Sequence, residues 1–115
     1  MKKIYHLSTC DTCKRIINEL NLSSDFVSQD IKNESITLDQ IEEMHQLAGS
    51  YEALFSKRAR LYKERDLKNQ SLTEEDYKKL ILEHYTFLKR PVIIINDQIF
   101  IGNSKKVVES AKLVI

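Results

Sequence analysis

The sequence lacks the features of a membrane-bound, nucleic-acid-binding or low-complexity chain. Its 18 Lys and Arg residues are balanced by 17 Asp and Glu residues, and the net charge of +1 gives no electrostatic reason for direct binding to nucleic acid or an anionic membrane. No apolar run reaches the ~20 residues of a membrane span, and the N-terminal segment has no signal-peptide apolar stretch. No repeat or low-complexity segment is present. These absences predict a cytoplasmic protein.

Cysteine is scarce, and both cysteines, Cys10 and Cys13, stand in one motif with two residues between them. A static disulfide there would constrain the unfolded chain very little. A zinc site would need two further ligands, and His6, His45 and His84 lack the spacing of a metal finger, so no metal is expected. Two inert buried cysteines are an alternative, and a redox-active pair is the interpretation that we favour.

The cysteine pair lies between a short apolar run and an amphipathic stretch, which places it at a strand-to-helix junction. The free N–H groups and the positive dipole end of a helix N-terminus favour a thiolate, so we expect Cys10 to be the nucleophile. Cys13 lies one helical turn later on the same face, close enough to attack a bond formed at Cys10 and release it as an internal disulfide. Lys14 and Arg15 follow as exposed cations of small electrostatic effect.

The spacing of apolar residues predicts an α/β chain in the order strand, helix, strand, several helices, two strands and helix. The first two strands should be parallel, because a right-handed crossover helix joins them. The expected strands are 3–7, a segment within 25–31, and a hairpin over 90–101 with its turn at 96–97. The expected helices are 12–22, 38–48, 50–55, 61–65, one starting after Thr73, and 105–112.

Two helices of the middle third carry capping-box signals. Thr37 is followed three positions later by Gln40, and Thr73 by Asp76, so each threonine is expected to cap a helix. Gly49 should end the first of these helices. Its buried stripe is expected to consist of Leu38, Ile41, Met44, His45 and Leu47.

The only proline, Pro91, opens the first strand of the hairpin. Proline at the start of a strand removes no central ladder bond, and an X-Pro bond can be cis, a feature uncommon enough to suggest placement near a site. The preceding Arg90 either belongs to that site or pairs with a surface carboxylate.

Together these elements resemble the arsenate reductase (ArsC) and Spx family of the thioredoxin-like superfamily. The resemblance rests on the segments Ser8-Thr9-Cys10-Asp11-Thr12-Cys13-Lys14-Arg15, Ala53-Leu54-Phe55 and Leu88-Lys89-Arg90-Pro91-Val92-Ile93-Ile94. It covers essentially the whole chain, and Cys10 with Arg90-Pro91 at this separation is its most specific part.

The resemblance implies a thioredoxin-like fold, βαβ then ββα, with an inserted helical subdomain. The chain would then be a single domain over residues 1–115. Its core would span about 1–34 and 86–115, and the helical insertion about 35–85.

The resemblance also implies roles for the motif residues. Cys10 matches the nucleophile that in arsenate reductases attacks arsenate and is regenerated through glutathione and glutaredoxin. Cys13 falls where those reductases have no cysteine and where Spx-type proteins have the second cysteine of a redox switch. Arg90 matches the arginine before the family's cis-proline and would offer a planar bidentate donor to an oxyanion or to the Cys10 thiolate. Pro91 would shape the binding edge.

Further oxyanion ligands are implied outside the motif. Arg58 or Arg60 matches the arginine from the loop that closes the helical subdomain. Lys14, which directly follows the cysteine motif, is a further candidate for binding substrate. The family's last arginine would fall near 102–103, where this chain has none, so an oxyanion should be held less strongly. The alternative for the basic turn around Arg58 is an ordinary solvated face.

Two classes of function follow from the resemblance. The first is a thiol-dependent oxidoreductase acting on an oxyanion, thiol or disulfide, with no bound cofactor and with glutathione and glutaredoxin, or thioredoxin, as reductant. The second is an Spx-like redox-sensing regulator that binds the C-terminal domain of the RNA polymerase α-subunit. We favour the first, which predicts turnover, whereas the second predicts a stoichiometric complex.

Overall fold

The computed structural model describes residues 2–115, which form a mixed α/β structure. The strands are β1 (Lys2–His6), β2 (Val27–Asp30), β3 (Val92–Ile95) and β4 (Gln98–Ile101). The helices are α1 (Asp11–Leu20), α2 (Leu38–Ala48), α3 (Arg60–Glu64), α4 (Glu74–Glu83) and α5 (Lys105–Lys112). Short 3₁₀ helices occupy Glu52–Leu54, Leu67–Asn69 and Tyr85–Phe87.

Two compact units make up the chain. The sheet unit contains the residues up to Glu34 together with Arg90–Ile115, and the helical unit contains Ser35–Lys89. In the sheet unit the strand order is β2-β1-β3-β4. β1 runs parallel to β2 and antiparallel to β3, and β3 runs antiparallel to β4. A parallel pair needs a crossover, which α1 supplies, so the predicted α/β class and strand directions are confirmed.

The core of the sheet unit explains its apolar pattern. All four side chains of β3 are buried, which is why its sequence is a continuous β-branched run and not an alternation. Ile4 pairs with Ile93 across β1 and β3, and helices α1 and α5 supply the apolar side chains that cover this face. The cluster consists of Ile4, Ile16, Leu20, Ile93, Ile95, Val108 and Ala111.

The C-terminal hairpin forms as predicted. Ile95 pairs with Gln98, which leaves a two-residue turn. Asn96 in that turn has φ of 57°, a left-handed conformation that asparagine tolerates better than most residues. The turn residues therefore fix the register that brings β4 to the edge of the sheet.

Both predicted capping boxes are present in the helical unit. The Thr37 side chain accepts the N–H of Gln40 at 3.1 Å, and the Gln40 side chain accepts the N–H of Thr37 at 3.0 Å. Thr73 and Asp76 repeat the arrangement at the start of α4. Each box pairs N–H groups that have no partner within the helix, a contribution of about 1 kcal/mol.

The interior of the helical unit is aromatic. The Phe55 ring lies 5.4 Å from Phe87 and 4.8 Å from Tyr77, measured between ring centroids. Ile41 and Met44 of α2 are buried, as expected, but Leu38 is 55% exposed, so its predicted place in the buried stripe is wrong. Leu38 is the first residue of α2. A helical side chain packs over the turn N-terminal to its own residue, and α2 has no turn there for Leu38 to cover.

The segment 86–89, expected in the thioredoxin-like core, lies in the helical unit instead. The N–H of Ser56 donates to the carbonyl of Phe87 at 2.7 Å, and the N–H of Lys89 donates to the carbonyl of Leu54 at 2.8 Å. These bonds hold the segment against residues 54–56, and the sheet unit resumes at Arg90.

Candidate redox site

Cys10 is the N-cap residue of α1, with an extended backbone at φ −94° and ψ 114°. Its N–H donates to the carbonyl of Leu7 at 3.0 Å, and its carbonyl accepts the N–H of Lys14 at 3.1 Å. The first bond closes the turn that leaves β1, and the second opens the helix. The Cys10 side chain therefore lies where the first N–H groups of α1 have no partner within the helix.

The pKa of Cys10 is lowered from the ordinary cysteine value. Burial is the largest single influence and acts in the opposite direction. It is outweighed by hydrogen bonds from the Cys13 backbone and side chain and from the backbone of Thr12, with the charge of Arg90 a smaller contribution. The start of the helix thus favours a thiolate at Cys10.

The pKa of Cys13 is shifted in the opposite direction to that of Cys10. Cys13 is fully buried, and its pKa is raised to about 11. Burial is the largest cause, a hydrogen bond from the Leu7 backbone opposes it, and the neighbouring charge of Cys10 raises the pKa further. Both cysteines are free thiols in the structure. The motif therefore joins one thiol that ionises readily to one that stays protonated at neutral pH.

Arg90 and Pro91 lie beside this pair and are joined by a cis peptide bond. Tyr5 pairs with Val92 in the sheet, which sets the start of β3 next to the end of β1. The positive charge of Arg90 lowers the pKa of both thiols, so the guanidinium is within electrostatic reach of them. The structure thus brings together four of the predicted site residues, the two cysteines with Arg90 and Pro91.

Three further cations were predicted for the site, namely Lys14, Arg58 and Arg60. Lys14 is exposed in the first turn of α1. Arg58 and Arg60 belong to the helical unit, where both are exposed and Arg60 pairs with Glu64 at 3.4 Å. Arg60 also borders an open polar cleft of about 230 Å³, together with Leu61, His84, Tyr85 and Thr86.

Asp30 contacts the loop that leads to Cys10, and the sequence did not predict this contact. Its carboxylate accepts the backbone N–H of Ser8 at 3.3 Å and also the Ser8 hydroxyl. The pKa of Asp30 is lowered, chiefly by the Ser8 hydroxyl. The sequence carries no local signal for this contact, because it depends on which residue of β2 lies opposite His6 in the parallel pair.

Within residues 2–115 no group of three or more His, Cys, Asp or Glu side chains is placed to hold a metal ion. In that part of the chain no helix has the length and apolar character to cross a membrane.

The fold and the site together define a thioredoxin-like protein with a pair of cysteines at the start of its first helix. The sequence model of the ArsC family matches residues 5–111, and the chain belongs to the ArsC family. The predicted family and the predicted fold class are both confirmed.

Curated relatives and solved structures agree with this assignment. The chain is 25% identical over 105 residues to the global transcriptional regulator Spx 2 of Bacillus anthracis, spanning 89% of this chain and 79% of that protein. It is 24% identical over 106 residues to the global transcriptional regulator Spx of Bacillus subtilis (strain 168), with the same coverage. An arsenate reductase from Vibrio cholerae superposes with a TM-score of 0.79 at 20% identity, covering 99% of this chain and 97% of that one. The last similarity shows the fold alone.

Proposed function

We propose that this protein is a thiol–disulfide oxidoreductase in which Cys10 is the nucleophile and Cys13 the resolving thiol. The strongest support is that the two pKa values within one motif are shifted in opposite directions. The pKa of Cys10 is lowered, and the pKa of Cys13 is raised to about 11. A lowered pKa supplies the attacking thiolate, and a raised one keeps the second sulfur protonated until it is needed.

The first step is attack of the Cys10 thiolate on one sulfur of a substrate disulfide. A bond forms between Cys10 and that sulfur, the substrate S–S bond breaks, and the other sulfur leaves as a thiolate that takes a proton from solvent. The N–H groups at the start of α1, which held the thiolate, face a neutral sulfur once the mixed disulfide has formed.

The second step uses Cys13. The charge of the Cys10 thiolate contributes to the raised pKa of Cys13, so forming the mixed disulfide removes that contribution and eases deprotonation. The Cys13 thiolate then attacks the Cys10 sulfur, its proton passes to solvent, and the bound substrate sulfur leaves and is protonated. The substrate has gained two electrons, and the protein holds a Cys10–Cys13 disulfide that glutathione with glutaredoxin, or thioredoxin, would reduce.

A thiol or disulfide substrate fits this site better than arsenate. Arg90 is a cation within electrostatic reach of Cys10, but residues 102–103 are Gly-Asn and supply no second guanidinium after the last strand. Each missing charge-assisted hydrogen bond weakens the binding of an oxyanion by about 1–3 kcal/mol.

Steady-state turnover tests this proposal. Hydroxyethyl disulfide and arsenate would be supplied in separate assays, with NADPH consumption coupled through glutathione reductase and glutathione, and glutaredoxin would be added only with arsenate because it reduces hydroxyethyl disulfide by itself. With the disulfide we expect many turnovers above the rate without protein, no such increase with Cys10→Ser, and a mixed disulfide trapped on Cys13→Ser that intact-mass spectrometry detects. A wild-type protein that reacts once and stops would overturn the enzyme proposal.

A second candidate function is a redox-sensing regulator like Spx. Two observations support it, namely that both curated relatives described above are transcriptional regulators and that the second cysteine of the motif is present. Here the Cys10–Cys13 disulfide would act as a switch and not as a catalytic intermediate. Calorimetric titration of the purified C-terminal domain of the RNA polymerase α-subunit into reduced and oxidised protein tests it, and the expected result is a stoichiometric complex whose affinity depends on oxidation.

A further inference from the structure

We propose that Asp30 is a positioning residue that fixes the backbone of the nucleophile Cys10. The inference rests on the proposed redox role of Cys10 and adds a residue from a different strand to that site. Asp30 is the last residue of β2, and it contacts the loop between β1 and α1 through Ser8.

One peptide group connects Asp30 to Cys10. The N–H of Ser8 donates to Asp30 Oδ1 at 3.3 Å. The carbonyl of that same peptide group belongs to Leu7, and it accepts the N–H of Cys10 at 3.0 Å. Because a peptide group is planar and rigid, anchoring its N–H also orients its carbonyl. The carboxylate thereby determines where the backbone of Cys10 is held.

The carboxylate is itself held in place. Its Oδ1 accepts the backbone N–H of Lys32 at 3.2 Å, and its Oδ2 accepts the side-chain amide of Asn33 at 2.8 Å. The Ser8 hydroxyl donates to Oδ2 as a second bond to the loop. Both oxygens therefore have donors from the loop and from the residues after β2, which leaves the carboxylate one orientation.

The strand pairing brings Asp30 to this position. His6, the last residue of β1, is opposite Asp30 in the parallel pair, and the N–H of Ile31 donates to the carbonyl of His6 at 2.9 Å. The loop that carries Ser8 starts directly after His6. The contact is therefore set by the register of β1 and β2 and not by a loop alone.

Positioning and plain electrostatics predict opposite effects of removing Asp30. The thiolate of Cys10 depends on hydrogen bonds from Thr12 and Cys13, so a loop released from Asp30 should lose some of them and the pKa of Cys10 should rise. If Asp30 acted only as a nearby negative charge, its removal would favour the thiolate and the pKa would fall. The sign of the change decides between the two roles.

The test measures the pKa of Cys10 from the pH dependence of its alkylation by iodoacetamide, in a Cys13→Ser background that leaves one thiol. We expect Asp30→Ala, which removes both acceptor oxygens, to raise the midpoint by about half a pH unit or more, which slows alkylation at neutral pH about threefold. Ser8→Ala should shift it in the same direction by less, because the Ser8 N–H bond remains. Asp25→Ala is the matched control, since Asp25 pairs with Lys2 at 3.1 Å before the start of β2 and should leave the midpoint unchanged.

An unchanged or lowered midpoint in folded Asp30→Ala would overturn the inference, whatever happens to its melting temperature. Circular dichroism establishes folding, and if Asp30→Ala does not fold, Ser8→Ala decides by the same criterion. Failure of the proposed function has a separate readout. It would appear in wild-type protein as no Cys10–Cys13 disulfide and no turnover, and the midpoint comparison would still be valid.

Discussion

At the scale of single residues, backbone groups do more than the nearby arginine to set the chemistry of Cys10. The hydrogen bonds from Cys13 and Thr12 lower the pKa of Cys10 more than the charge of Arg90 does. A hydrogen bond acts at contact distance, whereas a charge near a partly exposed thiol is screened by water and salt. The charge of Arg90 is therefore a minor part of what favours a thiolate at Cys10.

The raised pKa of Cys13 predicts a loss of stability at alkaline pH. The folded protein favours the Cys13 thiol, so this contribution is fully present below the unfolded pKa of about 8.5 and is lost as pH rises towards the folded value of about 11. We expect the unfolding free energy of reduced wild-type protein to fall by about 2 kcal/mol more than that of Cys13→Val between about pH 8 and pH 10.5.

Urea unfolding at a series of pH values, with a phosphine reductant present, measures this difference. The lysines and the tyrosines titrate in both proteins, so their effects cancel in the comparison. The Cys13 side chain lowers the pKa of Cys10, so the comparison is repeated in a Cys10→Ser background, which removes that contribution. Parallel pH profiles for wild type and Cys13→Val would show that the Cys13 thiol ionises as easily in the folded protein as in the unfolded chain.

The sequence predicted the positions of those candidate site residues whose placement depends on their neighbours in the chain. Cys10 at a helix start and Pro91 at a strand start follow from local patterns, and both are where those patterns put them. Asp30 was missed because its role depends on which residue of β2 lies opposite His6. Register of that kind is set by the packing of the whole sheet, and no nearby motif signals it.

At the scale of elements, one carboxylate joins two helices of the helical unit. Glu74 is the first residue of α4, and its side chain accepts the N–H of Tyr51 at 2.7 Å and the N–H of Glu52 at 3.1 Å. These N–H groups open the 3₁₀ helix Glu52–Leu54 and have no partner within it. Glu74 thus caps an element more than twenty residues away in sequence, as well as placing a negative charge at the start of its own helix.

We predict that Glu74→Ala lowers the unfolding free energy by about 1–2 kcal/mol, because it leaves those N–H groups without the carboxylate. Glu75→Ala is the matched control, since it removes the same charge from the same turn of α4 and should cost less than about 0.5 kcal/mol. Chemical denaturation of both variants measures the difference. Equal losses would mean that the charge at the start of α4 matters and the bonds to Tyr51 and Glu52 do not.

Element boundaries were predictable where side chains within one turn determine them. The two capping boxes and the limits 38–48 and 105–112 follow from local sequence and are found as expected. The 3₁₀ helices Leu67–Asn69 and Tyr85–Phe87 were not foreseen, because short turns of this kind depend on long-range contacts. The stacking of Phe87 on Phe55 is one such contact.

At the scale of the whole molecule, each unit has an apolar interior of its own. Ile93, 2% exposed, lies in the cluster that α1 and α5 cover in the sheet unit. Phe55, 1% exposed, lies among the aromatic rings of the helical unit. The sequence of the helical unit is inserted between Glu34 and Arg90, so the sheet unit is built from the two segments on either side of it. A substitution in either interior should therefore act first on its own unit.

We predict that Ile93→Ala and Phe55→Ala each cost about 3 kcal/mol, and that each accelerates amide hydrogen exchange first in its own unit. Ile93→Val is the graded control, at about 1 kcal/mol with the same regional pattern. Exchange followed by mass spectrometry of peptic peptides separates β3 and α1 from α2 and α4. If both variants accelerated exchange equally in all four elements, the chain would unfold as one cooperative unit. The residues around Cys10 could then not unfold locally without the helical insertion unfolding too. If instead each variant accelerated exchange in its own unit, the residues around Cys10 could unfold locally while residues 35–89 stay folded.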